Sequence, residues 1–350
     1  MTAAPPEPAE PAPPAATPAV PGLPAATPAL PGAPAAPAAT PVPAAEAPPG
    51  GLEVVEYTDP VCPWAWGSEP RLRRLRALLA GRAAWRTVYG VLFDEEEDDP
   101  APDPAAETAW YAGYVADITA HTGAPRAARL GWVAASSRPA SLAALAADRQ
   151  GVRVSAAVLR RLRESAFVLG EPADTPQRVL AAVAGLRGLD EALLERDMTE
   201  RRTIDRLAAD RAETRSPVRE VLGLHGPGPH PGAAREAGDG YRYALPTLLL
   251  TGPAGRRVVP GWRPLGEYLD AVRAVAPDLR IDPEGGLLPD ADAALERHLS
   301  LTRADLELLV VDRRPPTRAV LVESGNGPLW FASAYAEGHP ALAAGRPSRR

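Results

Sequence analysis

The chain has one cysteine, no lysine, three phenylalanines and two methionines among its 350 residues. A single cysteine excludes an internal disulfide, which fits a reducing compartment and a cytoplasmic location. No window approaches the ~18 consecutive apolar residues of a membrane span. A secretory signal is not expected either, because the first residues lack a basic n-region and a continuous apolar h-region. A formal charge of −6 argues against a general nucleic-acid binder, which needs a basic surface to displace phosphate counterions. All 38 basic residues are arginine, and with abundant alanine, glycine and proline this reads as the imprint of a GC-rich genome.

Proline is the opposite case. Residues 1–50 hold 17 of the 43 prolines, with alanine for most of the rest and no aromatic side chain. Such a segment cannot bury enough apolar surface to offset the entropy of ordering, so residues 1–51 are expected to form a disordered tail with polyproline-like stiffness.

Beyond the tail, "LEVVEY" at 52–57 reads as a short buried strand, ended by the turn pair Asp59-Pro60. "EPRLRRLRALLAG" places Leu72, Leu75, Leu78 and Leu79 on one helical face and closes at Gly81. "AWRTVYGVLF" at 84–93 is a second strand, completing a βαβ unit that a parallel pair closes naturally. Residues 104–222 are helical in pattern, with stops at Gly123, Gly151, Gly170 and Gly188 and a long charged segment, "ALLERDMTERRTIDRLAADRAETR", near the end. Strand character returns at "YALPTLLLTG", followed by "RRVVPGW" and a last helix, "PLGEYLDAVRAVA". Beyond Pro277, Thr302 and Asp305 suggest a capping box, and "RAVLVESGNGPLWFAS" a hairpin turning at Gly325-Asn326-Gly327. Helix and hairpin could be a degenerate winged helix; without a basic recognition helix, a small packing element is the better reading.

The chemistry concentrates in "DPVCPWAWGSEP", residues 59–70. Cys62 is expected at the mouth of the first helix, with Pro63 at the first helical position, where its missing N–H costs nothing. Free N–H donors and a partial positive charge there predict a lowered thiol pKa and a nucleophilic Cys62. A lone cysteine is also commonly an inert small hydrophobe. Its place at a strand-to-helix junction, between two prolines and beside Trp64 and Trp66, favours the reactive reading.

"YTDPVCPWAW" resembles the "DP-x-C-P-W-C" opening of the DsbA family, in particular its intracellular FrnE-like members. The resemblance extends through "RESAFVLGEPADTPQRVLAAVAGLRGLD" and "YALPTLLLTG…VVPGWRPLGEYLDAV", about residues 52–276. It implies an α/β, thioredoxin-like fold with a large α-helical insertion at about 104–232; residues 277–350 lie outside the resemblance and read from their own pattern as a small C-terminal α+β appendage with a disordered end. It also implies that Cys62 is the attacking thiol and that Pro63 and Trp64 lie between it and the second-thiol position. Pro246 matches the proline that follows a cis bond and faces the nucleophile, with Leu245 lending backbone groups to a ligand. Ala65 departs from the pattern, since it stands where the resolving cysteine would be.

Without that second thiol the protein cannot store and transfer a disulfide by itself. Monothiol chemistry remains: Cys62 attacks a thiol-reactive or disulfide substrate, a small molecule or a protein, and an external thiol such as mycothiol releases the adduct, with no tightly bound cofactor. Two alternatives share the scaffold. "TDPVCPWAWGSEP" is also similar to the opening of ClpXP adaptors of the SpxH/YjbH type, which would bring a client protein and a protease as partners. Kappa-type glutathione transferases are related as well, and imply a thiol-dependent transferase or isomerase.

Other residues carry weaker readings. His225 and His230 lie in a Gly/Pro loop without further ligands, so no metal site is expected. The acidic run Asp94–Asp99 reads as a solvated loop. Asp59 is expected to cap the turn, with a proton relay to Cys62 as the second reading. Trp110, Tyr111 and Tyr114, at helical spacing, read first as core and second as one wall of a cleft over Cys62.

Overall fold

The computed structural model describes residues 51–95, 101–226 and 229–343. The proline-rich segment before Gly51, most of the acidic run and the last residues of the chain lie outside these.

A four-stranded sheet of order β2-β1-β5-β6 forms the centre. Strand β1 (Leu52–Thr58) pairs parallel with β2 (Ala83–Tyr89) and antiparallel with β5 (Thr247–Gly252), which pairs antiparallel with β6 (Gly255–Pro260). Interior on both edges, β1 is buried along nearly its whole length, as its run of apolar residues requires. Helix α1 (Pro63–Leu78) crosses from β1 to β2, and α8 (Leu265–Val275) follows β6. Leu72, Leu75 and Leu79 meet Leu248, Leu250, Tyr268 and Val272 in one core cluster, so α1 and α8 cover the same part of the sheet.

Between β2 and β5 the chain builds a helical body: α2 (Pro104–Thr122), α3 (Arg138–Ala147), α4 (Val152–Glu164), α5 (Pro176–Val183), α6 (Glu191–Thr199) and α7 (Arg201–Thr214). The charged segment expected as one helix is two, because Glu200 is extended (φ −68°, ψ 139°) between α6 and α7. A small hairpin, β3 (Arg235–Ala237) and β4 (Gly240–Arg242), leads back to the sheet. Gly67 lets α1 pack against the end of α2: a Cβ there would lie 2.6 Å from the Thr122 side chain. At Asp94 the solvated-loop expectation fails, since its carboxylate is buried and paired with Arg211 at 2.6 Å and Arg215 at 3.1 Å. Those arginines come from the end of α7 and just beyond it, far away in sequence.

After α8 come α9 (Ala291–His298), β7 (Ser300–Thr302), α10 (Arg303–Leu309), β8 (Ala319–Ser324), β9 (Gly327–Ala332) and the short α11 (Ser333–Glu337), with strand order β7-β9-β8. The Thr302–Asp305 capping box is formed. Leu329, Phe331, Tyr335 and Ala336 share a core with Val158, Leu162 and Val183 of the helical body. At the hairpin tip, the Asn326 amide donates to the carbonyls of Thr119 (2.7 Å) and Ala124 (2.9 Å), fastening the tip to the end of α2.

A buried ionic chain crosses the same interface. Glu69 of α1 pairs with Arg73 at 2.8 Å and Arg160 at 3.1 Å; Arg160 pairs with Glu164 at 2.8 Å, and Arg73 with Asp305 at 3.2 Å. Glu164, fully buried, also accepts from the Tyr335 hydroxyl at 2.5 Å, from His339 Nε2 at 3.0 Å and from the Ser300 hydroxyl. Charges this deep persist only with such pairing, because removing one partner strands the other.

Candidate functional site

The site is assembled where β1 ends. Asp59, wholly buried, accepts the Val61 N–H on Oδ1 (2.8 Å), and the Leu92 N–H (2.8 Å) and Ser137 hydroxyl (2.7 Å) on Oδ2. One carboxylate thus ties the turn to the segment after β2 and to the N-cap of α3. Every one of these contacts uses Asp59 as an acceptor for structure, which favours the capping role over the relay.

Cys62 is the N-cap residue of α1 and Pro63 its first helical residue. The thiol is 3% exposed and donates to the Leu245 carbonyl at 3.5 Å. The Leu245–Pro246 peptide is cis, and the Pro246 carbonyl accepts the Gly261 N–H at 2.8 Å, joining this loop to the end of β6. Cys62, Trp64, Ala65 and Leu245 share one core cluster.

The expected depression of the thiol pKa is overturned. Burial pushes Cys62 up to about 11; the negative charge of Asp59 adds to this, while N–H groups of Ala65 and Trp64 and the charge of Arg242 work against it. The helix terminus contributes as anticipated, yet desolvation of a thiolate in a closed apolar site is the larger effect. The resting sulfur is a neutral thiol.

The roof of the site contains a residue that the sequence placed elsewhere. His230 is buried, with Nε2 3.0 Å from the same Leu245 carbonyl and its ring centroid 4.7 Å from that of Trp64. A carbonyl only accepts, so Nε2 carries the proton; Nδ1 has no hydrogen-bond partner among the described residues. Burial pushes the imidazole down to about 4, holding it neutral. Gly232, at φ +81°, lets this loop run against Pro260, where a Cβ would lie 2.5 Å from the backbone. The "HGPGPHPG" spacing by itself suggests a metal motif; among the described residues no three His, Cys, Asp or Glu side chains gather around one point. His225 is exposed.

Trp64 is closed over by aromatic side chains. Its Nε1 donates to the Tyr114 hydroxyl at 3.3 Å, and its ring lies 5.9 Å from His121, which is itself 4.7 Å from Trp262. Arg71, two helical turns along α1 from Trp64, stacks on Trp262 at 4.2 Å. Trp110 and Tyr114 stack in parallel at 5.6 Å while remaining 43% and 38% exposed. The core reading of this trio fails for these two rings, which form an outer wall beside Trp64.

No protein-family model matches the chain, and no curated protein does. Solved structures are similar to it in shape. A putative protein disulfide isomerase from Nitrosomonas europaea shares 15% identity, covering 63% of this chain and 97% of its own, with a TM-score of 0.48. A cytosolic disulfide reductase, DsbM, from Pseudomonas aeruginosa shares 19% identity over 65% and 94%, with a TM-score of 0.43. A probable DsbA oxidoreductase from Streptomyces coelicolor shares 18% over 69% and 94%, at 0.44. The chain's own topology carries the fold assignment: a parallel β1-α1-β2 unit, an antiparallel β5-β6 pair followed by α8, and a cis proline facing the cysteine at the head of α1. This is a thioredoxin-like fold with a large helical insertion.

Proposed function

We propose that the protein is a monothiol oxidoreductase acting through Cys62 on disulfides or thiol adducts, with an external low-molecular-weight thiol of the mycothiol type as co-substrate. The observation that carries this reading is the placement of the sulfur at the head of α1, against the Leu245 carbonyl and with N–H groups of Trp64 and Ala65 directed at it. Those donors would hold the charge of a thiolate once substrate is bound. In the first step the Cys62 sulfur displaces one sulfur of a disulfide R–S–S–R′, forming Cys62–S–S–R and releasing R′SH as the Cys62 proton leaves to the departing thiolate. In the second, a free thiol R″SH attacks the mixed disulfide, giving R–S–S–R″ and returning the proton to Cys62. Oxidation state balances without a second protein sulfur, in keeping with Ala65. Trp64, Pro63, Leu245 and Pro246 shape the contact surface for substrate.

Because the thiol rests neutral and closed, substrate entry has to open the roof of His230 and Trp64 before attack. The test is mass spectrometry of the wild type and Cys62→Ser after exposure to a low-molecular-weight disulfide and then to its free thiol. The reading requires a mixed disulfide on Cys62 that the second thiol removes. Absence of any adduct in the wild type overturns it.

The buried thiol and the exposed Trp110–Tyr114 wall also favour a second reading, a non-catalytic scaffold that binds a client protein. It requires client capture to be unchanged in Cys62→Ser and reduced in Trp110→Ala.

A further inference from the structure

Beside the Cys62 turn, and separate from the roof described above, an open-mouthed cavity lies between α2, the loop at 126–134 and the π-helical turn Ser165–Leu169. Counting the open solvent at its mouth, the empty space is about 520 Å³, and the part enclosed by protein is a small fraction of it. Val61, the residue before Cys62, stands in its wall with Val115, Trp132 and Phe167, so most of the lining is apolar. Cys62 itself does not line it.

Two polar features break the apolar surface. The Tyr111 hydroxyl is buried and has no hydrogen-bond partner among the described residues. Buried hydroxyls are ordinarily paired, so this one, on a side chain of the cavity wall, still has a donor to give. Arg126 and Arg129 also line the cavity, and neither has a carboxylate within ion-pairing distance among the described residues. Arg126 Nη1 donates only to the neighbouring Ala127 carbonyl, at 3.3 Å. This contrasts with Arg160 and Arg163 of nearby α4, each of which is paired. Positive charge at an apolar cavity fits an occupant that brings its own negative charge.

The loop is held for such a role from outside. The Arg126 N–H donates to the Ser324 hydroxyl at 3.3 Å and the Gly325 N–H to the Arg126 carbonyl at 2.7 Å, so the β8-β9 hairpin braces the segment carrying both arginines. On the far side the Gly131 N–H donates to the Gly170 carbonyl at 2.7 Å.

We propose that this cavity binds a small carboxylic acid with an apolar body: the body among Val115, Trp132 and Phe167, the carboxylate with Arg126 and Arg129, and Tyr111 donating to a ligand oxygen. The site is independent of the chemistry proposed for Cys62, and either can fail without the other. Calorimetric titration with sodium octanoate and with 1-octanol, which has the same chain without the charge, tests it on the full chain. Octanoate binds saturably, at least tenfold more tightly than octanol. Arg129→Gln, at an exposed side chain, removes most of that preference, and Arg126→Gln with it removes the rest. Tyr111→Phe weakens octanoate severalfold, and Ala112→Trp, which fills the cavity, abolishes binding while circular dichroism confirms folding. No saturable octanoate binding in the millimolar range, equal binding of acid and alcohol, or octanoate binding unchanged in folded Ala112→Trp overturns the proposal. Should Ala112→Trp fail to fold, the Arg129→Gln comparison decides alone.

Discussion

The Cys62 sulfur and His230 Nε2 converge on a single atom, the Leu245 carbonyl oxygen, at 3.5 Å and 3.0 Å. A carbonyl has two lone pairs, and these two donors use both. The thiol hydrogen therefore has an acceptor in the resting state, and giving it up costs that contact as well as desolvation of the resulting charge. Both effects act in the same direction, toward a protonated sulfur.

Alkylation of Cys62 should accordingly be slow at neutral pH and should titrate near 11, well above the ~8.5 of a free thiol. Iodoacetamide modification followed against pH measures it. Trp64→Ala removes part of the roof and should raise the neutral-pH rate about tenfold or more by admitting water to the sulfur. A wild-type midpoint below that of a free thiol would mean that the helix terminus outweighs burial after all.

Why the sequence misled on this thiol is instructive. The helix N-terminus is a local feature, written in Cys62-Pro63, and it is present. The roof is nonlocal: Leu245 and His230 lie 183 and 168 residues away along the chain, and no periodicity announces their arrival. The same distinction separates other successes and failures. Strands β1, β2 and β5 and helix α1 were legible because their apolar patterns reflect one buried face. The break at Glu200 was not, since a glutamate in a charged run carries no stop signal. Nor was the exposure of Trp110 and Tyr114, which depends on what fails to cover α2. Pro246 was legible through the family resemblance, and its place at the start of a strand, where a missing N–H is tolerated, agrees with it.

Asp59 should matter more to stability than its position in a turn suggests. Asp59→Ala leaves the Val61 and Leu92 N–H groups and the Ser137 hydroxyl without their buried acceptor, at about 3 kcal/mol or more in total. Asp59→Asn has one carbonyl oxygen and turns an amide N–H₂ toward the remaining donors, so it should recover little of the loss. Urea unfolding of the three proteins checks the order. If Asp59→Asn matches the wild type, the two-oxygen role assigned here is wrong.

Ala65 sits in the first turn of α1, three residues after Cys62, with its side chain fully buried. Side chains at this spacing are neighbours. Ala65→Cys should form an internal disulfide under mild oxidant, seen as loss of both titratable thiols and of two mass units, and should acquire dithiol exchange activity that the wild type lacks. The added sulfur also enters a filled site, so the reduced variant should be less stable by about 1–3 kcal/mol. Two thiols that persist in the folded oxidant-treated variant would contradict the turn geometry.

Acid should weaken the fold in two stages with different owners. His230 is pushed down to about 4 in the folded chain from an ordinary 6.5. Between those values the unfolded chain binds a proton that the folded chain refuses, so stability falls as pH is lowered through this window, by at most about 3 kcal/mol. Glu164 acts below it. Burial alone would raise this carboxyl, but the hydrogen bond from His339, the charges of Arg160 and His339 and the Ser300 hydroxyl hold it down at about 2, against an ordinary 4.5. Its contribution is complete above 4.5 and is lost as pH falls toward 2. His298, also pushed down by burial, to about 3, adds to the overall slope, so the wild type alone cannot apportion it. His230→Gln can: the side-chain amide still offers a donor to the Leu245 carbonyl but does not titrate. Urea unfolding of both proteins at several pH values from 7 to 4 should show a gap that shifts in favour of the variant as pH falls, whatever its size at pH 7. A gap independent of pH would mean that the imidazole is no harder to protonate in the folded chain than in the unfolded one, and the sealed roof over Cys62 would have to be abandoned with it.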